Sequence, residues 1–330
     1  MHDGANKMPW SGALCYNEGG KGGKEMKKSM RGKGIFLALF GSTLWGASGI
    51  AGQFLMQDRG ISPEWLAAVR MIAAGILLLA LDGARHTGDI FSIWKGRRNA
   101  AALLLFSVIG MLGVQYMYFA AIVESNAPTA TILQYMMPIL VIGWTAFRGR
   151  RFPSRRDILC AVLAIGGTAL LVTRGQWGTM AISPAALAWG IGSAAAAAFY
   201  VIQPKELIRQ WRSSLVVGWG MLAGGLAFSP IARPWAPAGH FDTAALFALA
   251  FVVVFGTAAA FWLYLSSVEY IEPSEAGLLN SAEPLSSILF SVFLLGLSFG
   301  AAEWAGAAMV ILAVLGVSER KPEEAGHGRG

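Results

Sequence analysis

Ten apolar stretches, each close to the length of a bilayer crossing, leave this chain very few folds to adopt. A helix needs about 20 apolar residues to cross the hydrocarbon core, since each residue advances it only ~1.5 Å. The stretches run approximately over 34–55, 63–81, 100–121, 127–147, 157–173, 181–202, 214–231, 243–266, 274–295 and 301–317, with short polar loops between them. In lipid every backbone amide and carbonyl must find its partner inside the protein, so stretches like these cross as helices. The chain is 55% hydrophobic and 14% charged, too little charge to cover a soluble domain of 330 residues. The expected fold class is an all-α polytopic membrane protein. Its two cysteines, Cys15 in a polar tail and Cys160 in an apolar stretch, imply no disulfide framework.

Residues 1–33 are rich in Gly and Lys without apolar periodicity and are expected to form a disordered basic tail, while 319–330 form a tail at the other end. Lys27, Lys28, Arg31 and Lys33 resemble the start of a secretory signal, but 34–55 exceeds the usual apolar core of one. It reads as an uncleaved first span, with Met26 and Met30 as alternative starts. Placing the N-terminus in the cytoplasm puts 22 of the 26 Lys and Arg residues on that side. Three (Arg59, Arg174 and Arg233) fall outside, and Arg70 lies within a span. This sidedness orients both termini to the cytoplasm of a bacterial-type inner (plasma) membrane. It also accounts for the net charge of +7 without a nucleic-acid partner.

The chain repeats itself. Tyr118–Pro138 lies on Tyr264–Pro284 without a gap at an offset of 146, pairing Gly110 with Gly256, Gln134 with Asn280 and Asp157 with Glu303. At an offset of 144, Trp45-Gly46 meets Trp189-Gly190. Two units of five crossings, 34–173 and 174–318, must sit in opposite senses across the bilayer because five is odd. Such a 5+5 inverted repeat places a substrate near the midplane, between the halves.

Within the ninth span, Glu283 is followed at once by Pro284, and Asn280, Glu283, Ser287 and Ser291 share one helical face. Glu283 sits about 13 Å along the span at ~1.5 Å per residue. Carboxylates at such depth face a bundle interior or wet cavity and mark ion or substrate paths. Pro284 also frees a backbone carbonyl nearby, which a neighbour or water must satisfy. Glu283 is thus a proton or ion coupling candidate; its alternative is a protonated acid bonded between helices. Met137 occupies the matching place in the fourth span, so the ionisable group is present in one half only.

Gln134 and Asn280 are amides at matched positions that can orient a polar solute or simply bond between helices. Gln115, Tyr118, Tyr264 and Ser287 carry the same two readings. Arg70, about 10 Å deep by helical rise, either snorkels to the outer headgroups or partners Glu283 or an anionic group of the substrate. Trp45 and Trp189 either wall a cavity or pack beside their glycines. Trp65, Trp94, Trp177, Trp211, Trp235 and Trp304 near span ends read as an interfacial belt.

LWGASGIAGQFL in the first span, SPEWLAAVRMIAAG in the second, NAPTATILQYMMPIL in the fourth and NSAEPLSSILFSVFLLG in the ninth resemble the EamA family of the drug/metabolite transporter superfamily. The resemblance covers about residues 34–318. It implies an exporter of amino acids, other metabolites or drugs, working by alternating access around a cavity lined by spans 1, 3, 4, 6, 8 and 9. The ninth span ends LLGLSFG where many relatives carry an acid after the glycine, so a role for that acid does not transfer.

No zinc-protease, nucleophile-elbow, P-loop or CxxC pattern occurs, and all four histidines fall in tails or loops. The expected function is therefore secondary transport of a small molecule, with protons as a coupling partner and no cofactor. An intramembrane lipid enzyme and a non-transporting receptor are the alternatives. An enzyme would gather several ionisable groups at one depth, and a receptor would carry a soluble domain. Monomer and homodimer both remain open.

Overall fold

A computed structural model describes residues 21–85, 89–149, 154–176 and 181–318. The predicted tails at 1–20 and 319–330, with Cys15 and Trp177, lie outside them. Among the described residues, nine helices are long and apolar enough to cross a membrane. They are α1 (Met30–Asp58), α2 (Pro63–Arg85), α3 (Arg97–Val123), α4 (Ala127–Arg148), α5 (Arg155–Thr173), α6 (Pro184–Gln210), α7 (Ser213–Ala232), α8 (Thr243–Ser267) and α9 (Glu275–Leu295). A tenth apolar helix, α10 (Ala301–Gly316), is shorter. Every predicted span has its helix, and most ends agree within a few residues.

Local chemistry sets the starts. Asn126, Ser183 and Asp242 each accept a hydrogen bond from an amide three residues on, capping α4, α6 and α8. Pro128 and Pro184 fall in the first turn, where a missing N–H costs nothing. The matched acids Asp157 and Glu303 turn out to share a task. Asp157 accepts from the Ser154 amide at 3.0 Å and Glu303 from the Gly300 amide at 2.8 Å, closing the starts of α5 and α10.

Equivalent helices of the two halves pack antiparallel. Along α2 and α7, Gly75 meets Leu222 while Gly225 meets Met71 and Ile72, and Gly218 meets Leu78 and Leu79. Along α5 and α10, Gly167 meets Gly306, and Cys160 near the start of one lies beside Gly316 at the end of the other. Other large contacts are matched as well: α1 packs on α8 and α9, and α6 on α3 and α4. That is the pattern of a two-fold axis in the membrane plane. The axis also relates two π-helical segments, Phe106–Leu112 in α3 and Phe251–Ala259 in α8, which contain the matched Gly110 and Gly256.

Polar ties segregate to the two ends. At one end Arg31 pairs with Glu275, Lys33 donates to Tyr270, and Arg212 grips Asp82 through both carboxylate oxygens at 3.1 and 2.6 Å. At the other, Arg59 pairs with Asp242 and Arg174 with Glu303. The Ala245 amide, and then Arg59, hold the Asp242 carboxyl below the usual carboxylate range. Since the Asp82 side chain is fully buried while Arg212 reaches the surface, Asp82→Asn is expected to lower unfolding stability by about 1–3 kcal/mol, the scale for hydrogen bonds to a charged group. A fall in the Tm of the purified protein checks this.

Three expectations need correction. Residues 21–33 are helical, not disordered, because the first helix runs unbroken from Lys21 to Gln53. Extending an existing helix needs no new nucleus, and Arg31 and Lys33 are tied down as above. The fourth and ninth spans are not continuous either: each breaks near its proline, at Tyr135–Met136 and at Asn280–Ser281. The tryptophan belt is partial. Trp65 is buried and donates to the Pro234 carbonyl at 3.1 Å, whereas Trp235 and Trp304 are exposed.

Candidate functional site

The break in α9 builds the site. Pro284 has no N–H to give the carbonyl four residues back, which belongs to Asn280. That carbonyl accepts instead from the Glu283 amide at 2.9 Å and from the Tyr135 hydroxyl at 2.7 Å. Tyr135 stands at the break of α4, so the two interrupted helices meet through their interruptions. The Asn280 amide completes the link, donating to the Tyr135 oxygen at 2.8 Å and accepting from Ser42 of α1 at 2.8 Å. Glu283 Oε2 lies 3.1 Å from the same Tyr135 oxygen. One hydroxyl proton thus serves two acceptors, a carbonyl and a carboxylate, and its choice depends on whether Glu283 carries a proton.

Gly46 lets α1 this close. A Cβ there would fall 2.5 Å from the Glu283 carbonyl oxygen and 2.9 Å from the Ser287 nitrogen. Trp45 beside it packs on Phe261 and Tyr264 of α8, with ring centroids 4.8 and 5.1 Å away. Its repeat mate Trp189 packs on Tyr116 of α3 at 5.6 Å. Both tryptophans therefore bridge the two halves.

A second polar layer lies on the α2–α3 side of α1. Tyr118 shares a 2.9 Å hydrogen bond with Thr131, and Gly49 of α1 makes room for its hydroxyl. Arg70 is 5% exposed, with its guanidinium 4.9 Å over the Phe119 ring. It does not snorkel, being buried against the Phe119 ring of the neighbouring helix. The hydroxyls of Ser48 and Ser287 are buried without a hydrogen-bond partner among the described residues.

The predicted residues thus divide. Glu283 and Asn280 form one cluster, with Ser287 beside it across Gly46, while Tyr118 and Arg70 occupy the adjoining layer. Gln134 stands apart, donating to Ser193 of α6 at 2.6 Å. Gln115 is buried on α3, and no described hydrogen bond joins it to Glu283. Tyr135, Ser42 and Thr131 were missed. Tyr135 carried one usable signal: it lies three residues before Pro138, where the proline disturbs the helix. Tyr135→Phe leaves Asn280 and Glu283 short of a donor. A loss of about 1–3 kcal/mol in stability is expected, with slower solute exchange in reconstituted vesicles.

Residues 32–173 and 184–319 each match the EamA-like transporter family. The chain belongs to that family. An "Uncharacterized inner membrane transporter YicL" of Salmonella typhimurium is 40% identical over 87% of this chain and 95% of its own length. An "Uncharacterized transporter YwfM" of Bacillus subtilis is 22% identical over 92% and 99%. A solved crystal structure shares the fold, with a TM-score of 0.59 at 17% identity, covering 88% of this chain and 96% of the other. As an EamA-like transporter of the drug/metabolite superfamily, the protein is a multi-pass membrane protein acting on a small molecule, and not an enzyme. The two matched segments coincide with the two halves joined by the antiparallel α2–α7 and α5–α10 pairs.

Proposed function

We propose that this transporter exports a small polar metabolite, amino acid-like or drug-like, across the inner (plasma) membrane by alternating access, in exchange for protons that bind at Glu283. One observation carries the reading: the Glu283 carboxylate shares the Tyr135 hydroxyl with the Asn280 carbonyl where α1, α4 and α9 meet. A proton gained or lost there changes which acceptor the hydroxyl serves, and so changes how the two broken helices are held together. The Lys and Arg distribution supports cytoplasmic termini, and the Salmonella relative's name supports the inner membrane. Protein reconstituted in liposomes and given a mixed metabolite pool tests the proposal. Solutes should accumulate in the acidic compartment when a pH gradient is imposed. Equal uptake with and without the gradient refutes proton coupling, and uptake of nothing refutes transport.

A further inference from the structure

Arg70 presents an unsolved problem of charge. Its side chain is buried, its Nε has no partner, and it makes neither a hydrogen bond nor an ion pair with any described residue. Its guanidinium lies over the face of Phe119. A guanidinium inside a membrane protein is costly unless an anion answers it. Glu283 forms no ion pair with it; the described contact of its carboxylate is with the Tyr135 hydroxyl. Gly46 packs on the backbone of Ser287, Gly49 on the Tyr118 hydroxyl, and Gly52 on the Phe119 ring that Arg70 covers. Arg70 thus presents an unanswered guanidinium on the Phe119 side of α1, at the junction of the halves.

We infer that Arg70 is an anion subsite that takes the carboxylate of the transported solute. The substrate class is then organic acids and zwitterions, not neutral or purely cationic compounds. Glu283, lying beyond ion-pair distance of Arg70, remains available for a proton or for the positive end of a zwitterion. The inference rests on the transport reading above and narrows it.

The test uses the purified full chain in chloride-free buffer and a pool of amino acids and short dicarboxylic acids, set against the same compounds as carboxamides. The acids should raise Tm, with an apparent affinity at least about tenfold above that of the amides, the scale of one charge-assisted hydrogen bond. Arg70→Met should abolish this shift, while its ligand-free Tm stays level or rises because an unanswered charge has gone. A purely structural arginine gives the opposite sign, a ligand-free Tm well below wild type, and that overturns the inference. So do equal shifts from acids and amides, no shift from the acids, or an unchanged acid response in Arg70→Met. Should Arg70→Met fail to fold, the acid-against-amide comparison on the wild-type protein still decides. Vesicle flux separates the two proposals: equal flux of acids and amides defeats only the subsite, whereas absence of all flux defeats transport itself.

Discussion

Glu283→Gln is expected to abolish gradient-driven accumulation while leaving solute exchange intact. One pH unit across the membrane is worth about 1.4 kcal/mol per proton, or about tenfold accumulation of a solute exchanged one for one. Glutamine keeps the size and the carbonyl oxygen of the side chain, so it still accepts the Tyr135 hydroxyl and the junction of α4 and α9 persists. It cannot release a proton. The variant should therefore equilibrate the solute and go no further, whereas wild type concentrates it on the acidic side. Accumulation by the variant equal to wild type removes Glu283 from the coupling mechanism.

The largest expected effect on stability comes from the glycines where α5 crosses α10. A Cβ on Gly306 would fall 2.5 Å from the Gly167 carbonyl oxygen and 3.0 Å from the Leu171 nitrogen. Both obstacles are backbone, so no side chain can rotate away, and the helices must separate. Small residues of this kind let spanning helices approach closely. Gly306→Val should cost at least about 3 kcal/mol, the upper range for overpacking a well-filled interior. Gly143 on α4 is the control, since nothing lies within 4 Å of a Cβ built there. Gly143→Ala should match wild type or stabilise slightly, by about 0.4–1 kcal/mol through the unfolded chain. A Gly306→Val protein with the wild-type Tm contradicts the tight antiparallel contact.

Much of this architecture was legible because bilayer physics writes it into local pattern. Span length follows from hydrocarbon thickness, and the starts of α4 and α6 follow from Asn126-Ala127-Pro128 and Ser183-Pro184. The offset of 146 foretold the shared π segments only as a pair of matched glycines, because nothing in a five-residue window marks the extra residue of a π turn. Glu283 and Asn280 stood out as polar groups in an apolar span. Tyr135 did not, since a tyrosine in a span usually reads as packing, and its partner Asn280 lies 145 residues away. Such pairings belong to the crossing of helices and leave no trace at local spacing. For Arg70 depth alone left both snorkelling and an inward role open, since its place over Phe119 of the neighbouring helix has no local signature.

Proton movement on solute addition tests the central claim most directly. Liposomes carrying the protein and a trapped pH dye are given the metabolite pool from outside without an imposed gradient. The expected result is an interior that turns alkaline as solute enters and protons leave, with no dye response in Glu283→Gln although solute still enters. Solute entry into wild-type vesicles at constant interior pH, or an equal dye response from the glutamine variant, contradicts it.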